Sequence, residues 1–170
     1  MAHNDIERSE QPRRRLGCVV LITREDGAVL FEETTYKDQP ILPGGGAHKG
    51  ERIADAAARE LFEETGLRRT LTHALAIDQM EANESSGANE GLNIVLDGGV
   101  LTAAEAEGLS IPVGASEEIR ALVWLKPNQF EGRLARYQAD RVRCALAARA
   151  AGHGLPLLFI GEPAGVHVAA

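Results

Sequence analysis

The feature of this sequence that most constrains its fold is the stretch RIADAAARELFEET at 52–65. It is rich in strong helix formers, and Gly66 followed by the apolar Leu67 stands where helices commonly end. Shortly before it, the run Pro43-Gly44-Gly45-Gly46 requires unusual backbone torsions or close approach to another group. The sequence therefore predicts a helix that is reached through a tight glycine loop.

Most of the other ordered segments have the pattern of strands. The predicted strands are 16–24, 28–33, 70–80, 92–96 and 119–125, with 39–42 as a short additional candidate. Asp26-Gly27 predicts a hairpin turn between the first two. Asp97-Gly98-Gly99 is interpreted as the turn that ends the fourth.

Two further helices complete the expected fold. Thr102 and Glu105 fit a capping box, which predicts a short helix to about Gly108. An amphipathic pattern predicts a helix over 134–151, with its arginines on a solvated face. These arginines are Arg136, Arg141, Arg143 and Arg149. The sequence thus indicates one mixed α/β domain.

The ends of that domain are less regular. We expect 1–14 to be a flexible lead-in, 15–170 to form the single domain, and 81–90 to be a mobile loop. The apolar segment 156–160 either forms an edge strand or packs over the core. No role is assigned to 153–170. Leu157 to Ile160 could also pair between two chains, which leaves a homodimer open.

Composition excludes several classes of function. The formal net charge is −7 and aromatic residues make up 4%, which argues against a nucleic-acid binder with a basic face or stacking platforms. The apolar run 16–22 is too short to span a membrane. Cys18 and Cys144 are too few for a disulfide scaffold, so a reduced cytoplasmic setting is expected.

The most unusual local feature is an acidic face on the first helix. Glu60, Glu63 and Glu64 stand at i, i+3 and i+4, so they share one turn. Like charges at this spacing repel by roughly 0.2–0.5 kcal/mol per pair, and the helix C-terminus also disfavours negative charge. A divalent cation such as Mg²⁺ or Mn²⁺ would reverse both penalties. The alternative is a plain solvated acidic face.

The same periodicity suggests how the helix packs. Four apolar residues are expected to face the core: Ala54, Ala58, Leu61 and Phe62. Ala56 and Ala57 then fall on the acidic face and leave open space above it.

The wider segment 45–67 resembles the Nudix box. It fits Gly-x5-Glu-x7-Arg-Glu-U-x-Glu-Glu-x-Gly-U, where U is aliphatic. The matching residues are Gly45, Glu51, Arg59, Glu60, Leu61, Glu63, Glu64, Gly66 and Leu67.

The resemblance implies a fold and an activity. Nudix proteins are α/β/α sandwiches with a mixed sheet, and they hydrolyse a pyrophosphate linkage in a nucleoside diphosphate derivative with Mg²⁺ or Mn²⁺. By position, the metal ligands would be Glu60, Glu63, Glu64 and the Gly44 carbonyl. Glu51 and Arg59 would pair to brace the loop against the helix, and Gly45 and Gly66 would give structural support.

A later glutamate often joins the site in this family. The match here is Glu118, six residues before Trp124, with Glu117 as the alternative. The resemblance implies that one carboxylate takes a proton from the attacking water, and both Glu64 and Glu118 remain candidates for that role.

One family feature is missing. Many members have a basic residue near the end of the second strand, where this chain reads FEETT at 31–35. Nearby substitutes for this phosphate contact are Lys37, His48, Lys49 and Arg52, although each is more often a surface residue. The substrate stays open between nucleotides and nucleotide-sugar-like molecules. A Nudix-fold binding module without turnover, or an isomerase-like relative, remains an alternative to the hydrolase.

Overall fold

The computed structural model describes residues 13–84 and 87–165. The strands are β1 (Arg15–Arg24), β2 (Val29–Thr34), β3 (Gly44–Gly46), β4 (His73–Met80), β5 (Gly91–Leu101), β6 (Ile119–Leu125), β7 (Leu155–Pro156), β8 (Leu158–Phe159) and β9 (Glu162–Pro163). The helices are α1 (Ile53–Thr65), α2 (Ala103–Glu107) and α3 (Arg136–Ala150). Short 3₁₀ turns lie at Val113–Ala115 and Pro127–Gln129.

Seven strands form one mixed sheet in the order β6-β2-β1-β5-β4-β7, with β3 beside β1. The β1–β5 pair is parallel, and the other pairs are antiparallel. Parallel pairing needs a crossover, and α1 lies in the connection between β1 and β5.

Side chains of β1 alternate between two apolar layers because successive residues of a strand point to opposite faces. Cys18, Val20 and Ile22 pack in the layer that contains the buried residues of α1. Leu21 packs in the opposite layer with Val142 of α3. The sheet therefore lies between α1 and α3, and the predicted α/β/α sandwich with a mixed sheet is confirmed.

Local turn signals gave correct predictions. Gly27 adopts a left-handed conformation (φ 81°), and its N–H donates to the Arg24 carbonyl at 2.9 Å, which closes the predicted hairpin turn. Thr102 and Glu105 form both hydrogen bonds of the predicted capping box of α2. In contrast, the short candidate strand at 39–42 contributes only a bridge between Ile41 and Glu32, and the glycine run itself forms β3.

The prediction that Asp97-Gly98-Gly99 ends a strand is wrong, because β5 continues through these residues to Leu101. A Cβ on Gly98 would lie 2.3 Å from Ile22 Cδ1 and 2.6 Å from Val20 Cγ1, so the glycine leaves room for these two buried side chains of β1. The φ of Gly99 is 81°, and the register with β1 shifts nearby, between Leu21 and Thr23. The glycines therefore serve packing and a bulge within the strand.

The prediction of a solvated arginine face on α3 is wrong for two residues. The Arg141 side chain is only 5% exposed and pairs with Asp78 at 2.6 Å. Arg149 pairs with Asp97 at 2.5 Å and donates to the Leu21 carbonyl at 2.6 Å. These two arginines attach α3 to the sheet.

The last described segment extends the sheet and then folds on itself. Leu155–Pro156 pairs with β4 as an edge strand, and Leu158–Phe159 pairs with Glu162–Pro163 in a hairpin. The expected mobile loop includes residues 85–86, and the expected lead-in includes residues 1–12; both stretches lie outside the described residues. Within the described chain, no helix is long and apolar enough to cross a membrane.

Candidate active site

The first helix places Glu60 and Glu64 at the edge of its buried face, while Glu63 is exposed. Its buried residues are Ala56, Ala57, Leu61 and Thr65. The prediction that Phe62 faces the core and that Ala56 and Ala57 lie under open space is therefore wrong. Phe62 is 38% exposed, with the Arg68 guanidinium 3.7 Å from the centre of its ring. Small alanines let α1 approach the sheet closely, and this rotation brings Glu60 and Glu64 beside the buried face.

An open cavity of about 440 Å³ lies at the C-terminal half of α1. Its lining residues are Glu60, Phe62, Glu63, Glu64, Pro112, Gly114, Ala115, Glu118 and Ile119. The structure thus brings together the three box glutamates and the later Glu118. Glu117 is exposed and is not among the described lining residues, and its carbonyl accepts a bond from Thr35 Oγ1 at 3.2 Å.

Gly44 and Glu64 connect the glycine loop to the helix. The Gly44 N–H donates to Glu64 Oε2 at 2.6 Å. Gly44 has a φ of 127°, and a Cβ there would lie 2.2 Å from the Cys18 carbonyl oxygen. Only glycine fits this close approach of β3 to β1. Burial raises the pKa of Glu64 and the nearby Glu60 charge raises it further, while the Gly44 bond lowers it; the net shift is upward.

Gly45 makes room for a second glutamate. A Cβ on Gly45 would lie 2.6 Å from the Glu60 carboxyl carbon. The loop therefore passes directly beside the Glu60 carboxylate.

Arg59 holds three glutamates at once. It donates to Glu51 at 2.8 and 3.0 Å, to Glu60 at 2.9 Å and to Glu63 at 3.1 Å. The bond from Arg59, with a further bond from the His48 N–H, lowers the pKa of Glu51 to about 2. Arg59 also donates to the Gly46 carbonyl at 3.3 Å. The helix and the glycine loop are thus braced by one guanidinium.

The donor chemistry of this site fits a hard divalent cation, since carboxylate oxygens are the ligands that Mg²⁺ and Mn²⁺ prefer. Within residues 13–84 and 87–165, however, no three acidic, histidine or cysteine side chains already converge as metal ligands. Arg59 and Gly44 hold the box carboxylates in hydrogen bonds instead. Arg59 holds Glu60 and Glu63 through one oxygen each, so a cation would bind at the other oxygens or compete with Arg59 for the bonded ones.

A fifth glutamate, which the sequence analysis did not single out, lies beside Glu64, although it is not among the described residues that line the cavity. Glu32 of β2 is fully buried, and within the described chain neither of its carboxylate oxygens has a hydrogen-bond partner. Burial raises the pKa of Glu32, and the neighbouring Glu64 and Glu60 raise it further. The signal in the sequence is periodic: Glu32 stands at an inward position of β2, between Leu30 and Thr34.

Tyr36 lies at the rim of the cluster and was also not singled out. Its pKa is raised by burial and then by the charges of Glu64, Glu118 and Glu32. Its ring remains 61% exposed.

The four basic substrate candidates are not among the described residues that line the cavity. His48 and Lys49 are exposed, and so is Lys37, whose pKa is lowered by burial and by the charges of Arg15 and Arg141. Arg52 stacks on Phe159 of the C-terminal hairpin at 4.3 Å. The structure does not gather these residues around the glutamates.

Comparison with curated proteins finds relatives that match a limited part of the chain. A diphosphoinositol polyphosphate phosphohydrolase 2 from Rattus norvegicus is 38% identical over 66 residues. This match covers 38% of the chain and 37% of the rat protein. The chain thus spans little more than a third of the length of this relative.

Solved structures match over most of the chain. A MutT protein from Methanosarcina mazei has a TM-score of 0.66 and 21% identity, and covers 82% of this chain and 97% of its own. A NUDIX hydrolase from Nitrosomonas europaea has a TM-score of 0.63 and 19% identity, and covers 85% of this chain and 94% of its own. At these identities the likeness shows the fold.

The family comparison covers the whole site. The model of the NUDIX domain matches residues 13–145, which include the glycine loop, α1 and Glu118. The resemblance found in the box therefore extends over most of the chain, and this protein belongs to the Nudix family.

Proposed function

We propose that this protein hydrolyses the pyrophosphate bond of a small nucleoside diphosphate derivative, a nucleotide or nucleotide-sugar-like molecule, with Mg²⁺ or Mn²⁺. One observation carries the proposal: Glu60, Glu63, Glu64 and Glu118 line a single open cavity. An acidic cavity repels phosphate unless cations offset its charge, so the arrangement makes sense for a metal-dependent phosphate site.

The proposed metal ligands are Glu60, Glu63, Glu64 and the Gly44 carbonyl. A divalent cation bound there would offset substrate charge and lower the pKa of a water molecule. Glu64 or Glu118 would accept the proton of the attacking water, and both stay open for this role. The Gly44 N–H fixes one Glu64 oxygen, so the other remains free to act.

The residues that line the cavity favour a substrate with few negative charges. Its apolar side is formed by Phe62, Pro112, Ala115 and Ile119. Among the described lining residues there is no lysine or arginine. The rat relative is named for diphosphoinositol polyphosphates, but a ligand with that many phosphates would find few cationic partners here. A nucleoside diphosphate derivative places fewer charges against the same walls.

The Arg59 contacts favour one alternative, a ligand-binding Nudix module without turnover. Arg59 holds Glu60 and Glu63 at 2.9 and 3.1 Å, so two of the proposed ligands are engaged. In such a module this pairing would persist when ligand binds. We also propose a cytoplasmic protein that acts on small molecules rather than on nucleic-acid polymers or membranes, with a homodimer still open.

The deciding experiment is a substrate screen with the full chain in Mg²⁺ or Mn²⁺. Nucleoside diphosphate derivatives, dinucleoside polyphosphates and a diphosphoinositol polyphosphate are incubated separately, and products are identified by mass. Two products whose masses sum to that of the substrate plus one water, and which disappear with chelator and with Glu63→Gln, support the hydrolase. Tight binding without any product supports the binding module, and a product of unchanged mass supports an isomerase.

A further inference from the structure

The carboxylate of Glu32 is buried, and no donor among the described residues gives it a hydrogen bond. A carboxylate that is removed from water without a partner costs several kcal/mol. Strands rarely place such a group inside, and β2 otherwise buries Leu30 and Phe31 at neighbouring positions. Some ligand or proton must therefore compensate Glu32 in the working protein.

The backbone holds Glu32 firmly in position. Its N–H donates to the Ile41 carbonyl at 2.8 Å, and its carbonyl accepts from the Ile41 N–H at 3.0 Å. On its other side β2 pairs with β6, with Glu32 opposite Leu122. Because the strand is bonded on both sides, the side chain is presented from a rigid element and not from a mobile loop.

The surroundings of Glu32 are acidic. Its carboxyl group lies within hydrogen-bonding reach of Glu64 and feels the charge of Glu60. Two ionised carboxylates can only accept hydrogen bonds, so Glu64 does not serve as a partner in that state. The Arg59 guanidinium of the same cluster is already shared by Glu51, Glu60 and Glu63.

We infer that Glu32 is an additional carboxylate ligand of the divalent cation, supplied by β2 from outside the box; this rests on the proposed metal-dependent function. A cation bound there would compensate the two carboxylate oxygens of Glu32, which accept no hydrogen bond from the described residues and lie beside Glu64 on a rigid strand. The competing role is a protonated carboxyl that donates to Glu64 and never meets the metal.

A glutamine at this position separates the two roles. Glu32→Gln keeps the shape and can still donate to Glu64, but it removes a negatively charged ligand. The matched control is Glu33→Gln on the opposite face of the same strand, where Glu33 lies 3.8 Å from Arg133 and is partly exposed. A third variant, Glu32→Asp, keeps the charge with a shorter reach.

The measurement is a Mn²⁺ titration of the full chain without substrate. The electron paramagnetic resonance signal reports the concentration of free Mn²⁺ at each step. We expect Glu32→Gln to weaken binding by about 10-fold or more, Glu32→Asp to weaken it less, and Glu33→Gln to bind as the wild type does. Melting in chelator provides the folding control: Glu32→Gln should be at least as stable as the wild type.

The outcomes are distinct. If the wild type and Glu32→Gln bind Mn²⁺ equally, Glu32 is not a ligand and the inference is overturned, while the proposed function stands. If the wild type binds no Mn²⁺, the metal-dependent function itself is wrong. If Glu32→Gln does not fold, Glu32→Asp decides: unchanged affinity overturns the inference, and weakened affinity beside a normal Glu33→Gln supports it.

Discussion

The N–H of Gly44 donates a 2.6 Å hydrogen bond to the carboxylate of Glu64, twenty residues later in the chain. This bond joins the glycine loop to the last turn of α1, and it orients one carboxylate oxygen by a backbone group that cannot rotate away. The site is thus formed by two separate segments of the chain, a loop and a helix, which this bond holds together.

Removal of the charge of either proposed metal ligand, Glu63 or Glu64, should stop the proposed hydrolysis. We expect Glu63→Gln and Glu64→Gln to lower kcat by about 10³-fold or more, because each loses a ligand or base and keeps its volume. Circular dichroism should show an unchanged fold. Glu107→Gln, an exposed glutamate of α2, is the control. Near-normal turnover in Glu63→Gln would refute the metal assignment.

Loss of the Glu51–Arg59 pair should lower activity less than loss of a proposed metal ligand. Glu51→Gln removes the charge that pairs with Arg59 at 2.8 Å but leaves the cavity glutamates in place. We expect kcat/KM to fall by about 10- to 100-fold, as is typical when a supporting contact is lost. Steady-state kinetics on one substrate would rank the variants, and a loss equal to that of Glu64→Gln would contradict the indirect role.

The glycine loop offers a paired test of close packing. In Gly45→Ala the new Cβ would lie 2.6 Å from the Glu60 carboxyl carbon, so that side chain must move. Displacement of a reacting group by about 1 Å can cost 10²-fold, and we expect a comparable loss of kcat with little change in stability. Gly46→Ala is the control, since a Cβ there would lie 4.0 Å from the Leu16 carbonyl oxygen, which is ordinary contact. Equal activity of both variants would mean that Glu60 tolerates the shift.

The buried arginine of α3 should matter for stability and not for chemistry. Arg141→Met leaves Asp78 without its 2.6 Å partner. Breaking a fully buried pair costs roughly 3–5 kcal/mol, and because Asp78 is 34% exposed we expect about 2 kcal/mol. Urea denaturation measures this change. Arg136→Met, on the same helix but 96% exposed, should stay within about 0.5 kcal/mol of the wild type.

The charge of the capping residue Glu105 should make the stability of the folded protein depend on pH. Bonds from the Thr102 N–H and from Arg69 lower the pKa of Glu105 from 4.5 to about 2. A carboxyl with a depressed pKa binds fewer protons when folded, so its stabilisation is present above pH 4.5 and is lost as the pH falls through 2.

Glu105→Gln tests that sign because glutamine can complete the capping box without a charge. The variant should melt below the wild type at pH 7, and the gap should close as the pH falls from 4.5 toward 2. Glu107→Gln, on the same helix, should follow the wild-type curve. A gap that is constant across this range would show that the Glu105 charge does not contribute.

Local signals were enough to predict much of the fold. The turn at Gly27, the capping box of α2 and the left-handed Gly66 (φ 71°) each depend on a few neighbouring residues. The sequence also gathered Glu60, Glu63 and Glu64 correctly onto one turn, because helical spacing is fixed.

Long-range relationships could not be predicted in this way. The inward position of Glu32 depends on how β2 pairs, and the partner of Arg141 lies 63 residues away. The Gly98 and Gly99 pair has the composition of a turn, yet close packing against β1 keeps it inside a strand. The predicted rotation of α1 about its axis was also wrong. Phe62 was expected to face the core, but Ala56 and Ala57 face it instead and let the helix approach the sheet closely.

The paired backbone bonds between Glu32 and Ile41 have a consequence for how this protein can change. They close the loop at 35–40 at its base, so these bonds, and not the loop itself, fix the distance from β2 to Gly44. Thr35, at the start of this loop, donates to the Glu117 and Glu118 carbonyls, so the residues beyond it can change in number or in side chain without moving either end of the site. New substrate preferences could arise there by insertion, while the proposed hydrolytic site stays in place.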